Sequence, residues 1–324
     1  MLRYDAAEPL GTHARFVCIP QFLMLTGRKE FVGPFRLYHL VRVGTTYEIW
    51  AVRPLDDNTP YAMKWLPPGE QHTRQAANAL KHEFNVGKSL KHKSIIRTCE
   101  FGTGKDGTYL TMELFKTPNL KQQIIEGVER LHYRLEEILC NAALGLEHMH
   151  REGWTHRDVK ADNYLVNEKN EVRLIDFTLA RKIPKGLSKL LGGKAPVQGT
   201  YSYMAPEQIR GKEVDACADI YSFGCMVYEL MTGKLPFTAS SSSELLNKHL
   251  KARPPELSML QKNIHPEFGK LVHRMLAKEP KERPNSLMEF YRELKAGRCF
   301  HIKPKPPLPA EEEAARKAQE DELE

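Results

Sequence analysis

The spacing of apolar residues changes once along this chain, near Phe115, and that change limits the folds that the sequence can adopt. Before Phe115, alternation of apolar and polar residues predicts strands in 35–52, 61–66 and 109–114. One helix, 73–90, is predicted among them. After Phe115, the segments 135–151 and 218–232 predict long helices. A strand-rich first third followed by a helical remainder predicts an α+β chain with two unequal lobes.

The composition supports a folded core and argues against several classes of protein. Of the 324 residues, 41% are hydrophobic, which is enough to bury a core in a chain of this length. The formal net charge of +7 comes from lysines and arginines spread along the chain, without the dense basic run that favours nucleic-acid binding. The six cysteines stand singly, and none has the CxxC spacing typical of zinc sites. We therefore expect neither a nucleic-acid partner nor a zinc ion.

The sequence gives no sign of a membrane segment. Its first residues lack the basic region and following apolar region of a secretory signal. No uncharged apolar stretch approaches the ~20 residues that a membrane span requires. We therefore expect no membrane span and a cytoplasmic location.

Two short polar segments carry the residue types that phosphoryl transfer needs. This reaction requires a group that accepts the hydroxyl proton, cations that bridge the phosphate oxygens, and side chains that hold those cations. The carboxylate Asp158 lies five residues before the carboxamide Asn163, and a second carboxylate, Asp176, closes an apolar strand. Carboxylates and a carboxamide at this spacing match those needs.

At these residues the sequence resembles the protein kinase family. Residues 156–163, HRDVKADN, resemble the HRDxKxxN catalytic loop, and 176–178, DFT, resemble the metal-binding DFG motif. The likeness covers roughly residues 37–295, with the motifs in the family's order. It implies a two-lobed α+β fold with a small antiparallel-sheet N-lobe carrying one helix and a larger, mainly helical C-lobe. The implied parts are an N-terminal extension (1–34), the N-lobe (35–115), the C-lobe (116–297) and a Pro-rich, charged tail (298–324).

The resemblance assigns chemistry to the matching residues. Asp158 would be the catalytic base, Lys160 would bind the γ-phosphate, and Asn163 and Asp176 would hold Mg²⁺. Lys160 is the residue that Ser/Thr-specific members carry, so the implied reaction transfers the γ-phosphate of Mg·ATP to a serine or threonine of a protein substrate. The sequences APEQ and ADIYSFGCMVYELMTGKLPF are most similar to those of bacterial Hanks-type Ser/Thr kinases.

By the same resemblance, the first lobe binds ATP. Residues 61–64, YAMK, are similar to the family's VAIK strand, so Lys64 would contact the α- and β-phosphates and pair with Glu83 on the predicted helix. The other ATP-binding candidates are Gly44 and Ile49 of the glycine-rich loop, the gatekeeper Met112, Glu113 and Phe115 of the hinge, and Ala62 and Leu165 on the two sides of adenine.

Four further residues match the family's substrate-docking and structural positions. Thr200 would hydrogen-bond near Asp158, and Asp219 would brace the backbone of the catalytic loop. Glu207, which ends the APE motif, would pair with Arg283 in a structural ion pair.

A regulatory site is implied beside the catalytic base. Family members with an arginine at the position of Arg157 usually gather a phosphate from the activation segment next to it. In this chain the candidate phosphosite is Ser188, which autophosphorylation in trans would fill. The alternative interpretation is that Arg157 packs against the loop and that no phosphate is involved.

Three positions depart from the family's pattern. Only Gly44 remains of the glycine-rich loop GxGxxGxV, and the loop is about two residues short. Thr178 replaces the glycine of DFG, where a β-branched residue resists positive φ. Gly87 stands where the family usually has a bulky apolar residue. Because glycines let backbone amides approach phosphates closely, we expect ATP to be held less tightly.

These departures keep other interpretations open. A pseudokinase scaffold with weak or no phosphotransfer would tolerate the degenerate loop and the DFT sequence, although it would have no chemical need for the retained polar set. A small-molecule kinase of the aminoglycoside type would not need the APE platform. In the tail, the segment from Pro306 to Pro309 has the pattern of a PxxP ligand for a partner protein. The alternative interpretation is that it is a stiff linker.

Overall fold

A computed structural model describes residues 30–69, 74–183 and 199–307. The predicted N-terminal extension, 1–34, lies outside these ranges except for residues 30–34. The predicted tail, 298–324, lies outside them from residue 308 onward. Ser188 and the second half of the segment from Pro306 to Pro309 also lie outside the described residues.

The first lobe is an antiparallel sheet with a helix. Its strands are β1 (Phe31–Val32), β2 (Phe35–Val43), β3 (Glu48–Pro54), β4 (Tyr61–Leu66), β5 (Thr98–Gly104) and β6 (Gly107–Glu113), and its helix is α1 (Arg74–Ser89). The strand order is β1-β2-β3-β4-β6-β5, and every neighbouring pair is antiparallel. Because α1 separates β4 from β5 in the chain, β6 rather than β5 lies beside β4.

The alternation along β4 decides which side chains face α1. Met63 and Trp65 join an apolar cluster on one face of the sheet, whereas Leu66 packs on the other face against Leu80 of α1. Lys64 lies between Met63 and Trp65 in the chain, so it shares the α1 face with Leu66. A lysine directed into an apolar layer requires an anionic partner, and α1 has to supply one.

The second lobe is mainly helical. Its helices are α2 (Leu120–Glu126), α3 (Glu129–His132), α4 (Leu135–Arg151), α5 (Pro206–Ile209), α6 (Ala216–Thr232), α7 (Ser242–Lys251), α8 (Leu257–Leu260), α9 (Pro266–Met275) and α10 (Leu287–Ala296). Four short strands form two antiparallel pairs: β7 (Trp154–Thr155) with β10 (Arg181–Lys182), and β8 (Tyr164–Val166) with β9 (Val172–Leu174).

Helix α6 forms the centre of this lobe. Every residue from 218 to 231 is buried, as expected for a helix that is apolar around most of its circumference. Asp215 is the N-cap of this helix, and its side chain accepts a hydrogen bond from the Cys217 amide. The helix ends at Gly233, which adopts a left-handed φ of 70° that glycine tolerates without a steric penalty.

Few residues join the lobes, since β6 ends at Glu113 and α2 begins at Leu120. The predicted two-lobed α+β architecture is confirmed. Packing of the second lobe continues past the predicted start of the tail at residue 298, because Cys299 and Phe300 are buried and Phe300 forms a β-bridge with Ile264. Across the described ranges, no helix combines the length and the apolar character needed to cross a membrane.

Gly224 of α6 packs closely against α9. A Cβ atom at Gly224 would lie 2.8 Å from the Cβ atom of Met275. We expect Gly224→Ala to lower the free energy of unfolding by ~1–3 kcal/mol, because the added methyl group overpacks the core. Urea unfolding followed by circular dichroism measures this change.

Gly269→Ala is the matched control, since it adds the same methyl group to α9 where no atom lies within 4 Å of the new Cβ. We expect it to leave stability unchanged or to raise it by up to about 1 kcal/mol through helix propensity. Equal stability of the two variants would contradict the close approach of α6 and α9.

Candidate active site

The buried lysine of β4 finds its partner on α1. Lys64 Nζ lies 2.7 Å from Glu83 Oε2, and the two side chains are only 11% and 5% exposed. Burial alone would lower the pKa of Lys64, but the attraction of Glu83 and Asp176 outweighs burial and raises that pKa above its ordinary value. Lys64 is therefore a fixed cation, and the predicted Lys64–Glu83 pair is formed.

Asp176 extends this pair toward the second lobe. Its Oδ1 lies 3.5 Å from Lys64 Nζ, and its side chain keeps 40% of its surface exposed. Burial of the carboxyl group would raise its pKa, but Lys64 and a hydrogen bond from Thr178 outweigh burial and hold the pKa well below its usual range. Asp176 adopts a left-handed φ of 65°, which is uncommon for a non-glycine residue. An ionised, partly open carboxylate at this position is suited to a cationic ligand.

A second polar cluster surrounds Asp158. Lys160 Nζ lies 2.7 Å from Asp158 Oδ2, and Thr200 donates to Asp158 Oδ1 from its amide at 3.0 Å and from its hydroxyl at 2.9 Å. The Lys160 ammonium also donates to the Thr200 hydroxyl at 2.7 Å. Asn163 Nδ2 donates to the Asp158 carbonyl oxygen at 2.8 Å. Asp158, Lys160, Asn163 and Thr200, which the sequence analysis predicted at this site, are therefore brought together.

Asp219 holds the backbone of the catalytic loop. It is 1% exposed, and its carboxylate accepts hydrogen bonds from the amides of His156 at 2.7 Å and Arg157 at 2.8 Å. His150 Nε2 lies 2.9 Å from the same carboxylate. Burial would raise the pKa of Asp219, but these hydrogen bonds and the two histidines outweigh burial and lower it. Arg157 has a φ of 68°, so the carboxylate stabilises an uncommon backbone conformation directly before Asp158.

The predicted Glu207–Arg283 ion pair is formed and buried. Arg283 Nη1 and Nη2 donate to Glu207 Oε1 and Oε2 at 2.7 and 2.9 Å, a bidentate geometry. Arg283 also donates to the carbonyl oxygens of Cys217, Ala277 and Lys278. The pair thereby ties α5 to α6 and to the chain after α9, which is a structural role.

The predicted hinge is anchored from the second lobe. Arg173 of β9 donates from Nε to Glu113 Oε1 at 2.8 Å, and its guanidinium lies 4.5 Å from the centre of the Phe115 ring. Met112 pairs with Ala62 across β6 and β4, so the gatekeeper and one predicted adenine contact are adjacent. The other predicted adenine contact, Leu165, lies on β8 opposite Arg173, on the second-lobe side of the hinge.

The short glycine-rich loop is a tight turn between β2 and β3. The Gly44 amide donates to the Tyr47 carbonyl oxygen at 2.9 Å, and Ile49 pairs with Lys64 across β3 and β4. The Tyr47 ring lies 5.0 Å from Lys64 Nζ, and its hydroxyl donates to the Ala76 carbonyl of α1 at 2.9 Å. A tyrosine therefore covers the lysine that the sequence assigns to the phosphates.

Asn163 and Asp176 fit a magnesium ion by their chemistry. Asn163 uses its Nδ2 group toward Asp158, which leaves its side-chain oxygen for a ligand, and Asp176 is an ionised carboxylate. The Ile175 amide donates to the Asn163 carbonyl oxygen at 3.0 Å. This hydrogen bond holds the chain directly before Asp176 next to Asn163. Oxygen ligands of this kind are the ones Mg²⁺ prefers, and it commonly takes only one or two from protein and the rest from phosphates and water.

Comparison with known proteins agrees with this geometry. The family model described as "Protein kinase domain" matches residues 39–293. The chain belongs to the protein kinase family. It is 31% identical over 226 residues to the serine/threonine-protein kinase PknL of Mycobacterium tuberculosis, covering 69% of this chain and 55% of PknL. It is 29% identical over 282 residues to the serine/threonine-protein kinase pkn3 of Myxococcus xanthus, covering 82% of this chain and 51% of pkn3.

The relatives also bear on the subgroup and on length. A third, the serine/threonine-protein kinase PknB of Mycolicibacterium smegmatis, is 28% identical over 274 residues, which cover 83% of this kinase and 44% of PknB. The predicted likeness to bacterial Ser/Thr kinases is confirmed. In the relatives cited here, the matched region spans about half of the relative's length, between 44% and 55%.

Two departures of this kinase from its family have a structural explanation. Thr178 is not among the residues with positive φ, so its β-branched side chain is not strained there. A Cβ atom at Gly87 would lie 2.1 Å from Thr98 Oγ1 and 3.3 Å from the Phe177 ring, which is 1% exposed. Glycine at position 87 therefore makes room for Thr98 and for the buried Phe177.

Four residues at this site were missed by the sequence analysis, or were noted without their contacts. They are Tyr47, His150, Arg173 and, for its hydroxyl group, Thr178. The glycine-loop deletion next to an aromatic residue was a usable signal for Tyr47. The long-range contacts of His150 and Arg173 had no local signal, because their partners lie 69 and 60 residues away in the chain.

Asp219 generates a prediction about acid stability. Its folded pKa lies below its unfolded value, so its contribution is fully present above the unfolded pKa of ~3.9 and is lost as pH falls through the folded pKa. We expect Asp219→Asn to lower the free energy of unfolding at pH 7 by about 2–4 kcal/mol. We also expect the variant to lose less stability than wild type as pH falls below about 4. Urea unfolding across this pH range measures both effects.

Asp56→Asn, on an exposed turn of the first lobe, is the matched carboxylate-to-amide control. It should leave both the stability at pH 7 and the acid limb close to wild type. An acid limb in Asp219→Asn as steep as that of wild type would show that Asp219 does not contribute through its ionised form.

Proposed function

We propose that this kinase domain transfers the γ-phosphate of Mg·ATP to a serine or threonine hydroxyl of another protein, with Asp158 as the base. The observation that carries the proposal is the arrangement around Asp158. One carboxylate oxygen is held by Thr200 and the other lies against Lys160, so the carboxylate has a fixed orientation. A fixed carboxylate can orient a substrate hydroxyl and accept its proton during transfer.

The other residues act on the phosphates and on the position of the substrate. Lys64, fixed by Glu83, would bind the α- and β-phosphates, and Lys160 would bind the γ-phosphate. Magnesium held by Asn163 and Asp176 would neutralise charge on the phosphate oxygens. The segment from Thr200 to Glu207, braced by Arg283, offers a platform for a peptide. The serine/threonine specificity rests on Lys160 and on the names of the bacterial relatives.

A pseudokinase scaffold remains the second candidate, and one observation favours it. Tyr47 covers Lys64 and is tied to α1, so a nucleotide has to share or displace that position. The assembled polar set argues for catalysis, because a scaffold has no chemical use for Asp158, Lys160 and Thr200 in this geometry. The peptide platform argues against a small-molecule kinase.

Regulation by phosphate near Arg157 is part of the proposal. Burial and repulsion from the Arg181 guanidinium lower the pKa of Arg157, so an anion beside these two groups would be favourable. A phosphate dianion between them would form charge-assisted hydrogen bonds and order the activation segment. Ser188 is the proposed residue that carries this phosphate, which its hydroxyl would accept from ATP.

The catalytic assignment is tested with Asp158→Asn. We expect phosphotransfer to a generic protein substrate to fall ~10²–10⁴-fold, because the amide cannot accept the hydroxyl proton. The melting temperature and the affinity for ATP should stay close to those of wild type. Transfer from radiolabelled ATP and calorimetry measure these quantities.

Asp162→Asn makes the same carboxylate-to-amide change in the same loop and serves as the control. Its phosphotransfer rate should stay within a few-fold of wild type. Wild-type turnover in Asp158→Asn would show that the base has been assigned to the wrong residue.

The nucleotide assignment is tested by binding. We expect ATP to bind weakly and to depend strongly on Mg²⁺, because the glycine-rich loop is depleted while Asn163 and Asp176 are retained. Calorimetry with and without Mg²⁺ measures both properties. Tight binding that does not need the metal would favour the scaffold.

A further inference from the structure

The hydroxyl group of Thr178 lies at the centre of the charged residues that the nucleotide site needs. Thr178 Oγ1 is 2.7 Å from Asp176 Oδ1, 3.0 Å from Glu83 Oε2 and 3.4 Å from Lys64 Nζ. One hydroxyl can donate a single proton and can also accept from an ammonium group. Thr178 therefore lies within hydrogen-bond distance of both carboxylates and of the lysine between them, and its one proton can be donated to either carboxylate.

The backbone holds the hydroxyl in this place. Phe177 is 1% exposed and packs edge-on against His156, with 5.9 Å between ring centres, so the residue before Thr178 is anchored in the core. The Thr178 amide lies 3.3 Å from Asp176 Oδ1, which closes a local turn around the carboxylate. Both the amide and the hydroxyl of Thr178 thus face Asp176.

The contacts of the Thr178 hydroxyl join three elements that are far apart in the sequence. Glu83 belongs to α1, Lys64 belongs to β4, and Asp176 follows β9 in the second lobe. Glycine, the residue of the family at this position, has no side chain that could make this link. The threonine therefore adds a contact rather than only restricting the backbone.

We propose that Thr178 is a positioning residue, whose hydroxyl fixes Asp176 and Glu83 around Lys64 and so maintains the site for nucleotide phosphates. Its role in phosphotransfer rests on the proposed function. The positioning itself is a property of the protein without nucleotide and is open to measurement in that state.

The test compares four variants of the full chain. Thr178→Val removes the hydroxyl and keeps the shape, Thr178→Ser keeps the hydroxyl, and Thr178→Gly restores the residue of the family. Thr103→Val makes the same chemical change on an exposed part of β5 and is the matched control. Melting temperatures establish that each variant is folded.

The first measurement is hydrogen exchange by mass spectrometry without nucleotide. Loss of a hydrogen bond to a charged group should speed local opening about tenfold or more. We expect faster exchange in residues 174–178 and around Glu83 in Thr178→Val and Thr178→Gly. In these same residues, Thr178→Ser and Thr103→Val should exchange as wild type does, although Thr103→Val also removes a contact between the Thr103 and Thr108 hydroxyls elsewhere in the sheet.

The second measurement is steady-state kinetics. We expect Thr178→Val to lower kcat about tenfold and to raise KM for Mg·ATP, while KM for the protein substrate stays unchanged. Thr178→Ser should restore both parameters. A smaller fraction of folded protein would lower the apparent kcat, but it would not raise KM for Mg·ATP while leaving KM for the protein substrate unchanged.

The outcomes separate the two proposals. Wild-type exchange in both Thr178→Val and Thr178→Gly would overturn the positioning role, whatever the activity. If wild type transfers no phosphate, the proposed function fails, and the exchange measurement still decides whether Thr178 positions the carboxylates. Faster exchange in Thr178→Ser equal to that of Thr178→Val would also overturn the role of the hydroxyl.

Discussion

The buried ion pair of Lys64 and Glu83 is the constraint on which the first lobe depends. The alternation of β4 sends Lys64 to the face that α1 covers, where an unpaired ammonium would be too costly to bury. Glu83 can pair with that charge only if α1 has one rotation about its own axis and one position along the sheet. Gly87, one turn later, keeps the helix close enough for Thr98 and Phe177 to pack beneath it. The ion pair thus fixes the position of α1 as well as the chemistry of Lys64.

The second lobe uses buried polar contacts to hold uncommon backbone conformations. Arg157 and Asp176 both have left-handed φ values, each costing about 1–3 kcal/mol for a non-glycine residue. Asp219 accepts from the Arg157 amide, and Lys64 and Thr178 hold the Asp176 carboxylate. Arg157 directly precedes the proposed base Asp158, and Asp176 is itself a proposed metal ligand, so both strained residues lie at the candidate site.

The sequence predicted the architecture and the polar set because both are encoded in short patterns. The change of apolar spacing near Phe115 identified the two lobes, and local motifs identified Asp158, Asn163 and Asp176. Tertiary contacts had no such pattern. Nothing in the sequence around Arg173 or His150 indicates their contacts with Glu113 and Asp219, which lie 60 and 69 residues away in the chain. Cys299 and Phe300 were assigned to the Pro-rich, charged tail, although their burial against the second lobe keeps them in the fold.

Two of the three departures from the family, the shortened loop and Thr178, converge on one atom, Lys64 Nζ. The shortened loop loses glycines whose amides would approach phosphates, and it brings the Tyr47 ring to 5.0 Å from that ammonium. The replacement of the DFG glycine brings the Thr178 hydroxyl to 3.4 Å from it. If the proposed nucleotide site is right, a loop that contributes fewer amides would leave more of the phosphate charge to Lys64 and to a metal ion at Asp176, and the position of these two residues would matter more. Side chains that restrain Lys64 and Asp176 are then favoured in this chain, whereas a full glycine-rich loop would make them less necessary.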